Sequence, residues 1–219
     1  MYLNKDIYNS MWSLKKYSGS FIALCGFDGS GKTTQTKEIS HHYSQEKHII
    51  QTFQPSNWYR NKPEVRDYLE SGKQIDPLLL ALLAATDRRK HTLEIIEPSL
   101  TSSQNLLISD RYVYSSLVYF YARGLSLESV IQLNQAIPRP QITFYLHLPP
   151  AALIERLQKR DGLVLKYEEK RSFIEKVYEG YQLLSEIDER FIVIDGTASV
   201  SLIHNQIRHH IDKTCFDNK

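Results

Sequence analysis

The 219-residue chain is poor in cysteine, with only Cys25 and Cys215, and poor in excess charge, its 27 lysines and arginines nearly balanced by 25 acidic residues. Two cysteines so far apart do not make a disulfide framework, so the sequence predicts a reducing, cytoplasmic setting. A net charge of +2 lacks the broad basic field of a nucleic-acid binder, and no nucleic-acid partner is expected; local basic clusters remain available for small anions. Long apolar runs are missing too, which argues against a membrane span or a signal peptide. Repeats and low-complexity tracts are absent, and a chain of this length can bury one substantial core. Residues 1–19 carry no recognisable chemistry and read as an N-terminal extension with Met11 as an alternative start. Residues 20–219 read as a single domain.

What is present alternates. Short apolar segments at 21–25, 49–53, 106–109, 142–146 and 191–194 read as buried strands, each separated from the next by helical patterns. That order predicts an α/β fold: a five-stranded parallel sheet with helices on both faces, whose ligands gather at the carboxyl ends of the strands. Asp76 before Pro77 is a helix-start signal opening the run 78–85, and this helix is expected to continue toward Leu100. Pro149 and Pro150 open a second helix through Arg160, with Gly162 as its stop, a loop over 161–166 and a further helix near Tyr167.

Directly after the first strand comes Gly26-Phe27-Asp28-Gly29-Ser30-Gly31-Lys32-Thr33, which satisfies the phosphate-loop spacing of Gly, four residues, Gly, Lys and Ser or Thr. Glycines let the backbone curl until successive amide hydrogens face phosphates, and the following helix adds the positive end of its dipole. Lys32 then brings charge to the β and γ phosphates of ATP, Thr33 offers a hydroxyl to Mg2+, and Thr34 continues the cradle. A chance glycine-rich turn would produce this spacing in a chain of this length on the order of 1% of the time at ordinary glycine content. Leu106-Leu107-Ile108-Ser109-Asp110-Arg111-Tyr112 ends a predicted strand in a carboxylate and a guanidinium. In such a sheet Asp110 falls beside the phosphate loop as a metal ligand and Arg111 reaches an acceptor phosphate, whereas elsewhere the pair would merely cap a helix. Arg156 and Arg160 lie four apart on one helix face, followed by Lys166. This is the pattern of a short basic lid over about 156–168, with Arg160 as the cation on the transferring group.

Together these segments resemble thymidylate kinase, a family of P-loop nucleoside monophosphate kinases, over roughly residues 20–212. The resemblance rests on the stretch from Phe21 through the loop to Thr34 and Gln35, and on Asp110-Arg111-Tyr112-Val113-Tyr114-Ser115-Ser116. It implies phosphoryl transfer from ATP to dTMP with Mg2+, and a homodimer. It further implies that Asp28 approaches the acceptor sugar, Arg111 binds its phosphate and Pro55 shapes the turn after the second strand. Within Thr86-Asp87-Arg88, Arg88 matches the arginine that reads a thymine carbonyl, with Ser116 near the base and Tyr119 beneath the deoxyribose.

The sequence also departs from that family. Cys25 replaces a usual glutamate, Gln54-Pro55-Ser56-Asn57-Trp58 replaces Glu-Pro-Gly-Gly-Thr, and Phe120 replaces a glutamine. Arg60 and Arg66 become candidate substitute cations for the rebuilt turn. Ala84 stands where the family stacks a phenylalanine on thymine, and Trp58, Tyr114 and Phe120 are the aromatics that could fill the gap. A kinase of the same fold with another acceptor, or an ATP-binding switch, therefore remain the competing expectations.

Overall fold

The computed structural model describes residues 3–71, 74–161 and 171–216. Five strands, β1 (Ser20–Cys25), β2 (His48–Phe53), β3 (Asn105–Asp110), β4 (Ile142–His147) and β5 (Phe191–Asp195), form one all-parallel sheet in the order β2-β3-β1-β4-β5. The expected strands appear with ends moved by a residue or so. β1 is central, pairing Leu24 with Asp110 on one side and Leu24 with Phe144 on the other. The order reverses at β1, and the crevice at its carboxyl end is where a ligand enters such a sheet.

Helices precede, connect and follow the strands: α1 (Lys5–Ser10) before β1; α2 (Lys32–Tyr43), α3 (Asn57–Arg60), α4 (Pro63–Ser71), α5 (Pro77–His91), α6 (Glu97–Ser99), α7 (Val113–Ala122), α8 (Leu127–Gln132), α9 (Pro150–Asp161) and α10 (Arg171–Ile187) in the connections; and α11 (Val200–Ile211) after β5. Asp76 does cap α5, its carboxylate accepting from Leu78 N at 2.6 Å. The predicted run toward Leu100 is continuous but changes pitch, passing through a π-helical turn, Thr92–Ile96, before α6. The predicted α9 begins at Pro150, while Gly162, Lys166 and Tyr167 lie outside the described residues.

Side-chain alternation on β1 splits the interior into two layers. Phe21, Ala23 and Cys25 join the core beneath α5, α7 and α10, whereas Ile22 and Leu24 join Ile39 of α2 and Ile207 of α11 on the opposite face. Two predicted buried strands are only half covered. β2 and β5 are the sheet edges, so one flank of each faces solvent.

The stretch before β1 is packed rather than detached. Asn4 caps α1, and Leu3, Tyr8, Met11 and Trp12 are buried in the first core layer. Trp12 bridges to Ile137, and Ser13 N donates to Ile137 O at 2.8 Å. The Tyr8 hydroxyl donates a short hydrogen bond to Asp188 just before β5. Asp188 is wholly buried and also accepts from Tyr114 at 3.2 Å and Arg139 at 2.7 Å. One carboxylate thus ties the start of the chain to α7 and to the entry of β5.

Candidate active site

Between β1 and α2 the backbone turns through Gly26, Gly29 and Gly31, all at positive φ. Gly26 has the tightest reason: a Cβ there would sit 2.7 Å from Ser30 Oγ and 2.8 Å from Leu146 O. Gly31 caps α2 in the left-handed region and supplies no side-chain bond, so the first-turn amides of this 12-residue helix keep their hydrogens for a ligand. Phe27 turns inward against Tyr119 and Tyr181, which anchors the loop. Lys32 folds back into the loop, its Nζ donating to Phe27 O at 2.7 Å and lying 3.7 Å from Asp28 Oδ1. Only 5% of its side chain is exposed. Burial, with Arg111 nearby, pulls its pKa down to about 8.

At the end of β3 the chain makes an unusual turn. Arg111 is a non-glycine residue at φ +64°, a conformation that costs about 1–2 kcal/mol and is held by its N–H donating to Leu24 O at 2.8 Å. This turn aims the guanidinium at the phosphate loop, where Nη2 donates to Asp28 Oδ1 at 2.7 Å. It also stacks over the Tyr119 ring at 5.4 Å. Asp110, one residue earlier, keeps Oδ1 buried without a hydrogen-bond partner.

Two cavities meet here. The larger, about 710 Å³, is lined by Asp28, Gly29, Gly31, Lys32, Thr33, Thr34 and Asp110, among others, and Gln54, Asn57 and Arg60 form its far wall. The smaller, about 150 Å³, is lined by Pro55, Tyr59, Tyr68, Ala84, Ser116, Tyr119 and Phe120. Asp28, Arg60 and Arg111 line both. Arg88 is buried behind the smaller one, with Nε donating to Asn134 Oδ1 at 3.0 Å, Nη1 to Gln54 Oε1 at 2.7 Å and Nη2 in a short bond to Ser116 Oγ. Three of its five N–H groups are therefore bonded to neutral acceptors. Burial pulls its pKa down to about 10.

Most of the residues singled out in the sequence converge on these cavities. Of the proposed substitute cations, Arg60 lines both, whereas Arg66 pairs with Glu70 at 3.3 Å on the same helix. Of the three aromatics offered for the gap at Ala84, only Phe120 lines the smaller cavity. Trp58 instead lies under Lys62 at 3.9 Å, and Tyr114 is committed to Asp188 in the core. In α9, where the sequence placed the start of a lid, Arg156 reaches Gly29 O at 3.2 Å and Gly196 O at 3.3 Å. The side chain of Arg160 lies outside the described residues. Cys25 points into the core, fully buried, with its thiol pushed up to about 12 by burial.

Sequence reasoning passed over Tyr59, Tyr68 and Arg123 of the smaller cavity, and the polar chain behind Arg88. One signal was available: Ala84, Arg88 and His91 stand at i, i+4 and i+7, so one face of α5 carries all three. Asn134 had no comparable signal.

Comparison with known proteins agrees with this geometry. The thymidylate kinase family model matches residues 24–207. A probable thymidylate kinase of Pyrococcus horikoshii is 35% identical over 194 residues, covering 86% of this chain and 94% of its own. Thymidylate kinases of Caldanaerobacter subterraneus and Staphylococcus haemolyticus are 36% and 35% identical, covering 86% and 85% of this chain and 93% and 94% of their own. A family model matched along nearly the whole sheet, with relatives about 35% identical over most of the chain, makes this chain a member of the thymidylate kinase family.

Proposed function

We propose that this chain transfers the γ-phosphoryl group of ATP to dTMP, giving ADP and dTDP by direct in-line displacement. The observation that carries the reading is the 2.7 Å bond between Asp28 and Arg111, which joins the phosphate loop to the acceptor cavity. Two anions entering from the two cavities would meet across residues that line both. The amides of Gly26, Phe27, Gly29, Ser30, Gly31 and Thr34 cradle the ATP phosphates, and Lys32 brings its charge to the β and γ oxygens. Arg111 grips the acceptor phosphate, Asp28 approaches its sugar and Tyr119 lies beneath the ring. Arg88 offers its two remaining N–H groups to a thymine carbonyl beside Ser116, and Pro55 shapes the turn. Arg156 and Arg160 close over the transferring oxygens. Catalysis is positioning and charge neutralisation, and no general base is required because the acceptor phosphate is already ionised near neutral pH.

The residues fit Mg2+. The unpartnered Oδ1 of Asp110 and the exposed hydroxyl of Thr33 lie at the same cavity, and no cluster of three acidic, His or Cys ligands occurs among the described residues. Asp110 and Thr33 would hold the ion, which would supply neutralisation of developing charge. A homodimer is supported by Leu78, Leu79 and Leu82 on α5 and by Leu93 and Ile95 beyond it, all at least 41% exposed. Leu78 and Leu82 stand one turn apart on one side of α5, the spacing of an apolar stripe that a partner would cover. Light scattering should return twice the 25.5 kDa chain mass. No described helix is long and apolar enough to cross a membrane. Both cysteines are free, as a reducing cytoplasm would keep them.

The test is a coupled ADP-release assay with dTMP, dUMP, UMP, CMP, AMP, GMP and the free nucleosides. dTMP should give the highest kcat/KM; a higher value for any other acceptor overturns the assignment.

A further inference from the structure

Behind the acceptor cavity a line of hydrogen bonds runs from β2 to α5. Thr52 Oγ1 lies 2.6 Å from His91 Nε2, and His91 Nδ1 lies 2.9 Å from Gln54 Nε2. Gln54 Oε1 in turn accepts from Arg88 Nη1 at 2.7 Å. Gln54 and Arg88 are almost fully buried and His91 is 8% exposed, so these groups meet one another and not bulk water. Each link follows from the chemistry of the next. A guanidinium has donors and no acceptor, so only the carbonyl end of the amide can face Arg88. The Gln54 NH2 must then point at His91 Nδ1, which must be unprotonated. His91 therefore carries its hydrogen on Nε2 and donates it to Thr52. Burial lowers the His91 pKa, against the opposing pull of Asp87 and Glu94 and with the help of Arg88, so the neutral ring is the ordinary form near pH 7.

We infer that His91 is a positioning residue for acceptor recognition: by satisfying the donor end of Gln54, it holds the carbonyl end against Arg88 and thereby holds Arg88 toward the base. The inference rests on the assignment of dTMP as acceptor. It also gives the family departure at Gln54 a consequence. A glutamate there would present oxygen in both directions and need no orienting partner, whereas a glutamine has one correct face.

The experiment is a mutant cycle with a spectroscopic control. His91→Ala should raise the KM for dTMP about tenfold, equivalent to about 1.4 kcal/mol, the scale of one buried hydrogen bond, with kcat and the KM for ATP within about twofold. His91→Gln, which retains an acceptor, should recover most of that loss. In a Gln54→Glu background, His91→Ala should change the dTMP KM by less than about twofold, because no amide remains to orient. An equal loss in both backgrounds, or an equal change in the ATP KM, would show His91 to be merely structural. Imidazole 15N spectra of the wild-type protein should show a protonated Nε2 and a bare Nδ1, and the opposite tautomer overturns the inference whatever the activity. A wild-type protein inactive on dTMP but showing the expected tautomer would refute the acceptor and leave the orienting chain standing.

Discussion

Removing the phosphate-loop lysine should make the nucleotide-free protein more stable at neutral pH, although it abolishes transfer. Lys32 is almost fully buried and meets one carbonyl at 2.7 Å and one carboxylate oxygen only at 3.7 Å. Its pKa falls from 10.5 to about 8 on folding, burial being the largest cause. The sign follows from which state sheds its proton first. Below pH 8 the ammonium is present in both folded and unfolded chains, and the folded state bears the full desolvation cost. Between pH 8 and 10.5 the folded chain loses the proton while the unfolded chain keeps it, so the cost fades. At 1.36 kcal/mol for each tenfold change in proton affinity, the cost at pH 7 is on the order of 3 kcal/mol. Lys32→Met keeps the length of the side chain, but it strips Phe27 O of its donor, losing about 1 kcal/mol. A net gain of about 2 kcal/mol remains, or roughly 4–8 °C in Tm for a domain of this size. Thermal denaturation of both proteins without nucleotide, at pH 7 and at pH 10, measures it. An unchanged or lower Tm for Lys32→Met at pH 7, or a gap that persists undiminished at pH 10, refutes the reasoning.

Arg111→Lys should raise the KM for dTMP at least tenfold and that for ATP much less, because lysine cannot reproduce the planar grip on a phosphate; parallel saturation curves that move equally would contradict this. Ala84→Phe should weaken dTMP binding, because Ala84 is 4% exposed and Phe120, Tyr59 and Tyr68 already crowd a cavity of about 150 Å³. Phe120→Ala should cost about tenfold to a hundredfold in dTMP affinity if its ring stacks on the base, and titration by calorimetry reads both variants. Asp188→Asn should destabilise by about 3 kcal/mol, since it breaks a buried ion pair with Arg139, and should expose the N-terminal segment to limited proteolysis.

The sheet was legible because five apolar runs stand alone between helical patterns, and the phosphate loop because its spacing is tied to one chemistry. Arg111 was legible from its place beside Asp110 at a strand end, whereas Arg88 was legible only through resemblance, since a lone arginine on a helix has no signature of its own. The edge strands were over-read: apolar content does not say which strand lies outermost. Residues 1–19 offered nothing to read because what Tyr8 and Trp12 need is supplied from afar, at Asp188 and Ile137. The same holds for Gln54, whose role is set by His91 37 residues away. Periodicity reports on neighbours along the chain, and these side chains are explained by neighbours across it.

Tyr8 and Asp188 are separated by 180 residues, and that separation is also an interval of time. A ribosome adding roughly 5–20 residues per second needs roughly 10–40 seconds to travel from one to the other. During that interval α1, with Tyr8 on it, exists before the carboxylate that will receive its hydroxyl has been made. The segment that precedes β1 is therefore made long before its last contact, and Tyr8 lacks its acceptor until Asp188, just before β5, has been made.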